Sequence, residues 1–185
     1  MKIEVERKAE ISSLDLDEIF LKLYARTENA YSVEYIDTYL DNKHLNLAID
    51  EQELRIRTIN DEINSQKYLL TYKTKPIDTE SKSKKEVELE IESAEAMLEI
   101  FLSMGFAIKA QFTKECVNFP FLYKGYSILA TVVEFTDKSE IFLEIETQIE
   151  TYENFDLAMH IIGDIYKQLG IDSTHFTNEY YTDFM

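Results

Sequence analysis

Glu4, Glu6 and Lys8 occupy alternate positions of the opening segment MKIEVERKAEI, with Ile3, Val5, Ala9 and Ile11 between and after them. In a strand, successive side chains point to opposite faces, so both carboxylates and the ammonium line one face. Similar alternation recurs in Arg55 and Arg57 of ELRIRTI, Lys73 and Lys75 of QKYLLTYKTK, and Glu144 and Glu146 of EIFLEIETQI. In SKSKKEVELEIES, Lys84, Glu86, Glu88 and Glu90 lie opposite Val87, Leu89 and Ile91. Carboxylates spaced i, i+2 on a strand converge on one hard cation such as Mg²⁺ or Mn²⁺. Arginine grips phosphate oxygens with a planar fork, and lysine acts as a point charge. Together these types suit phosphoryl or nucleotidyl transfer, which depends mainly on positioning and charge neutralisation. A bound metal can also activate water or a hydroxyl as nucleophile. No Gly-rich phosphate loop is present or needed.

Plainer readings stand beside this one. Arg55 and Arg57 fit a solvated sheet edge, and Glu86, Glu88 and Glu90 fit an acidic outer face. Tyr39 and Tyr72 read as packing residues. His44, His160 and His175 lack metal-like spacing, and Cys116 sits in an apolar-aromatic stretch that suits a packed thiol.

The elements that must position these groups are mostly strands. The first strand is followed by a helix over about Leu14 to Arg26, with Ser12-Ser13 as cap candidates and Leu16, Ile19, Phe20 and Leu23 as its apolar positions. VEYIDTYLD puts Val33, Tyr35, Asp37 and Tyr39 on one face. ELRIRTI, QKYLLTYKTK and SKSKKEVELEIES supply strands three to five, with the turn NDEINS between the first two. A second helix is capped by Ser93 and ends near Gly105. Strand six runs from about Phe106 to Phe119, YSILATVVEF is strand seven, and Thr136 to Ser139 turn into strand eight. A third helix spans Asn154 to Leu169 and stops at Gly170. The aromatic tail FTNEYYTDFM reads as docked.

Composition bounds the function. The 185 residues fit a single domain, 1–185, with a real core, and an apolar fraction of 45% argues against disorder. The net charge of −17 disfavours nucleic acid and anionic membranes as partners. It also makes any cluster of Arg and Lys conspicuous. One cysteine, no signal-peptide core and no long apolar run point to the cytoplasm. The partners left open are a small polyanion and, as a homodimer, a second copy of the chain.

Eight hairpin-linked strands tend to curl and close. Their charged alternates either face solvent over an apolar interior, or face inward in a barrel whose apolar outer wall lies under the helices. The second arrangement buries charge, which is costly unless a polyanion and its metal ions compensate it.

The ordered motifs favour that second arrangement. EVERK resembles the ExExK signature of the CYTH superfamily, the triphosphate tunnel metalloenzymes. IDTYLD, LRIR, LTYK, KKEVELEI, GFAIKAQFTKE and FLEIE resemble further family motifs, in family order and over nearly the whole chain. The likeness is greatest to the class IV adenylate cyclase branch. It implies an α+β fold: an eight-stranded antiparallel β-barrel, the triphosphate tunnel, with flanking helices. By the same resemblance Glu4, Glu6, Glu144 and Glu146 match metal-side carboxylates. Arg55, Arg57, Lys73 and Lys114 match phosphate-binding positions, Lys8 matches the catalytic strand-one lysine, and Glu86 and Glu88 match a middle acidic pair.

Two positions depart from the family pattern. Its sixth strand reads K-x-R, where this chain has Lys114-Glu115-Cys116. Its seventh ends in a metal-holding aspartate, and counting back from Glu144 gives Glu134. The missing guanidinium represents ~1.5–3 kcal/mol of charge-assisted bonding, for which Lys75, Lys84 or Lys114 could compensate. Three functions follow: a metal-dependent enzyme that hydrolyses a triphosphate or cyclises ATP, a non-catalytic polyphosphate or nucleotide binder, and a structural barrel acting through partners.

Overall fold

Polar and apolar side chains alternate along most strands, and the fold sorts them with the polar set inside. The computed structural model describes residues 2–61, 66–78, 83–136 and 138–183. The strands are β1 (Lys2–Glu10), β2 (Tyr31–Asp41), β3 (Glu53–Asp61), β4 (Lys67–Lys73), β5 (Lys84–Ile91), β6 (Ala107–Tyr123), β7 (Tyr126–Phe135), β8 (Phe142–Ile149) and β9 (Phe176–Thr177). The helices are α1 (Leu16–Tyr24), α2 (Ala94–Ser103) and α3 (Phe155–Leu169). The first eight strands form an antiparallel sheet in the order β5-β4-β3-β2-β6-β7-β8-β1, and a β1–β5 pairing closes it into a barrel. The expected architecture is therefore present, with one short strand added.

Outward residues of β1, β7 and β8, including Val5, Ala9, Ile128, Val132, Leu143 and Ile145, are buried under α1 and α3. At the usual ~25 cal/mol per Å² of apolar surface, this layer is the main stabilising term. The Tyr166 hydroxyl of α3 lies 2.7 Å from both the Arg7 and Leu143 carbonyl oxygens, which share its one proton, and this fixes the helix across the acidic strands. Opposite, Leu40, Leu54 and Ile56 pack with Met97, Leu98 and Phe101 of α2. That helix begins where Ser93 accepts from the Ala96 amide, as its sequence predicts. The cap of α1 is Asp15, which accepts from Glu18 N, and not Ser12 or Ser13. Gly170 ends α3 at φ 87°, a left-handed conformation that suits glycine.

One strand end differs from expectation. β6 continues past Phe119 to Tyr123 because its pairing with β7 runs on to Tyr123 opposite Tyr126, whereas β2 begins opposite Asn118. Beyond that point β6 pairs with β7 alone, so Pro120 has no donor to lose on its other edge. The tail is docked as expected, through β9, which pairs with β1 at Lys8 and Ala9. The NDEINS turn lies mostly, and the Thr136–Ser139 hairpin partly, outside the described residues.

Candidate active site

A cavity of about 100 Å³ lies inside the barrel. Strand alternation delivers to its wall Glu4, Glu6 and Lys8 of β1 and Glu144 and Glu146 of β8. The facing wall carries Glu53, Arg55 and Arg57 of β3, Lys73 of β4 and Lys114 of β6. The cavity is bipolar, with carboxylates clustered on β1 and β8 and most of the cations across from them.

Glu4, Glu6 and Glu146 each offer an oxygen within 4.8 Å of the others, the donor set a hard divalent cation takes. Burial raises the Glu6 carboxyl to about 8, and Glu4 and Glu144 add to the rise. Burial, with repulsion from Glu4, also pushes Glu146 well above the carboxylate range. Glu4 goes the other way: its ion pair with Lys73 overcomes burial and holds its carboxyl low. A cluster that cannot ionise fully by itself is chemically suited to a cation.

The basic side is organised around Asp37, which is 0% exposed. Arg57 donates to its two oxygens at 2.6 and 2.7 Å, Lys114 lies 3.2 Å away and Arg55 3.7 Å away. Burial would raise this carboxyl, yet Arg57, Lys114 and Arg55 hold it far below its ordinary range. One carboxylate thus serves three cations and leaves a net positive face toward the cavity. The buried Nε of Arg55 has no hydrogen-bond partner among the described residues. An unpaired buried donor of this kind is costly, and an anion in the cavity would satisfy it. Lys8 lies 3.9 Å from the Tyr181 ring centroid and donates to the Glu179 carbonyl, and burial lowers its pKa.

Of the residues matched to family positions, Glu4, Glu6, Lys8, Arg55, Arg57, Lys73, Lys114, Glu144 and Glu146 all line this cavity. Glu86 and Glu88 do not. Glu86 faces Lys73 across the β4–β5 ladder, and Glu88 is exposed and accepts from Thr71 at 3.1 Å. Glu134 is exposed on the outer wall opposite Glu115, which corrects its placement among the metal-side carboxylates. On β7 the inward residues are Thr131 and Val133, paired with Glu144 and Phe142, so the neighbouring Glu134 must point out. Cys116 does point inward but packs with Val33, Phe112, Val133 and Tyr181, 2% exposed, with its thiol pushed up to about 12 by burial.

Sequence reasoning gave no role to Glu53, Tyr180 and Tyr181, which line the cavity, or to Asp37 behind its cations. Asp37 sits in the IDTYLD motif, and that was its one signal. Glu53 pairs with Lys84.

Comparison with known proteins agrees with this geometry. The family model described as the CYTH domain matches residues 2–181. The chain belongs to the CYTH family. A Methanocaldococcus jannaschii protein named "Putative adenylate cyclase MJ0240" is 28% identical over 147 residues, covering 80% of this chain and 78% of that protein. The solved PH1819 protein of Pyrococcus horikoshii superposes with a TM-score of 0.82 at 26% identity, covering 98% of this chain and 97% of that one. A Hippeastrum protein described as a "putative adenylyl cyclase" with dominant triphosphatase activity shares the fold, with a TM-score of 0.65 at 16% identity over 99% of this chain and 94% of that one. CYTH proteins are metal-dependent, and the acidic cluster of β1 and β8 is the donor set this chain offers.

Proposed function

We propose that this CYTH chain is a metal-dependent triphosphatase whose tunnel, spanning one domain, holds a triphosphate between the Asp37-anchored cations and the Glu4–Glu6–Glu146 cluster. The observation that carries the reading is the apposition of these two groups across one small cavity. Arg57 and Lys114, fixed on Asp37, present their remaining donors to phosphate oxygens, and Arg55 adds its free Nε. Lys73, held by Glu4, supplies a point charge at the junction of the two halves. Lys8, beside the carboxylates with a lowered pKa, orients the attacking oxygen and can pass a proton. Glu6, protonated near neutrality when the cluster stands alone, gives up that proton as a cation binds, and a cation likewise favours the ionised form of Glu146, whose carboxyl burial and Glu4 raise. Mg²⁺ or Mn²⁺ held there would neutralise developing charge and activate the attacking water.

The name of the M. jannaschii relative favours a second reading, cyclisation of ATP to cyclic AMP and pyrophosphate. The Hippeastrum neighbour, described by its triphosphatase activity, favours the first. Purified protein with Mg²⁺ or Mn²⁺ and either tripolyphosphate or ATP separates them by product. Orthophosphate release supports the triphosphatase, and cyclic AMP with pyrophosphate supports the cyclase. Binding without turnover leaves a polyphosphate-binding module.

A further inference from the structure

Two contacts hold the Arg57 guanidinium, and Asp37 is only one of them. Asp37 accepts from Nε and from Nη2 at 2.6 and 2.7 Å, which leaves the Nη1 hydrogens and one on Nη2 for another partner. Bonds along that edge place the fork in its own plane, but a fork held by one edge can still tilt about it. The tilt is set by Tyr35, whose ring centroid lies 4.2 Å from the Arg57 Cζ. At that distance the ring covers one face of the guanidinium.

Tyr35 is itself held by a line of buried polar groups apart from the acidic cluster. Its hydroxyl accepts from Asn118 Nδ2 at 2.9 Å, and Asn118 Oδ1 accepts from the Thr131 hydroxyl at 2.7 Å. A wholly buried asparagine such as Asn118 is costly unless its amide is bonded, and here both ends are. The line follows the order of the sheet: Tyr35 lies on β2, Asn118 on β6, and Thr131, the cross-strand partner of Asn118, on β7. Burial pushes the Tyr35 hydroxyl up to about 12, so the ring beneath Arg57 stays neutral. A phenolate there would compete with a bound anion for the guanidinium. A neutral ring attracts it through its quadrupole and leaves the positive charge undiminished. Tyr35, Asn118 and Thr131 do not line the cavity, so an effect on an anion held there runs through Arg57.

We infer that Tyr35, locked by Asn118 and Thr131, is a positioning residue that sets the tilt of the Arg57 guanidinium, so that the donors Asp37 leaves over meet phosphate oxygens. The inference rests on the reading of the cavity as a triphosphate site.

Calorimetric titration of the intact chain with tripolyphosphate in Ca²⁺ tests it, on variants that keep the cooperative melt of the wild type. Tyr35→Leu should weaken binding at least about tenfold, the effect of losing a desolvated cation–π contact. Tyr35→Phe keeps the ring but drops the bond from Asn118, and its loss should be about threefold. Being close to isosteric, it carries the test if Tyr35→Leu does not fold. In an Arg57→Ala background each substitution should cost less than about twofold, a coupling that loosened packing elsewhere would not produce. Wild-type affinity in either variant, or losses undiminished without Arg57, overturns the inference while leaving the tunnel reading intact. Absence of binding by the wild type overturns the tunnel reading and the inference with it.

Discussion

Asp37→Asn should be the most informative single change in the barrel. The side chain keeps its shape and one acceptor oxygen, but Arg57, Lys114 and Arg55 lose their shared counter-charge. Removing one partner of a buried ion pair costs about 3–5 kcal/mol, because the remaining charge stays buried without compensation. In a chain of this size ~1 kcal/mol moves the melting temperature by roughly 2–4 °C, so a fall of roughly 6–20 °C is expected. The pH dependence carries a second signature. A carboxyl whose folded pKa lies far below its unfolded value of 3.8 contributes stability that is present above that value. The contribution disappears as pH falls through 3.8 toward the folded pKa. Wild type should therefore lose this part of its stability in acid, and Asp37→Asn should lack that loss. Tripolyphosphate supplies the missing negative charge, so it should raise the melting temperature of Asp37→Asn at least as much as that of wild type. The assay is calorimetric melting from pH 3 to 7, with and without tripolyphosphate. A variant within about 0.5 kcal/mol of wild type, with an unchanged acid limb, would refute Asp37 as the anchor of the cations.

Other outcomes follow from the same geometry. Because the folded Glu6 carboxyl is raised from 4.5 to about 8, its contribution to metal-free stability should be fully present below pH 4.5 and be lost as pH rises through 8, by at most about 5 kcal/mol, and Glu6→Gln should flatten that alkaline decline in thermal melts. Mg²⁺ or Mn²⁺ should accordingly raise the melting temperature more at pH 8.5 than at pH 5.5, since binding requires the ionised carboxylates. Glu134→Gln, on the outer wall, should leave that metal response unchanged when measured beside Glu6→Gln. Cys116→Arg should destabilise the fold by about 3 kcal/mol or more without tightening tripolyphosphate binding, because the guanidinium would displace aromatic packing; a calorimetric gain in affinity would contradict this.

The charged faces were legible because strand alternation and barrel closure leave Glu4, Glu6, Arg55, Arg57, Glu144 and Glu146 little choice once the apolar alternates lie under helices. Polarity named the inward face of β1, β3 and β8 directly. β7 was different: Ile128, Ala130 and Val132 on one face and Leu129, Val133 and Phe135 on the other are all apolar, so pattern could not say where Glu134 points. Asp37 was visible as a motif residue, but its service to three cations depends on contacts among β2, β3 and β6 that no local pattern records. The same holds for Tyr180 and Tyr181, which were seen only as part of a docked aromatic tail. Cys116 could be read either as a replaced arginine or as a packed thiol, and the aromatic cluster around it decides for the thiol.

Anomalous diffraction at the manganese edge, from crystals holding Mn²⁺ and tripolyphosphate, tests the central claim most directly. The account predicts a manganese peak bounded by Glu4, Glu6 and Glu146, with phosphate oxygens on Arg55, Arg57 and Lys114 in the same cavity. Manganese or phosphate bound only outside the barrel, with the cavity holding neither, would contradict it.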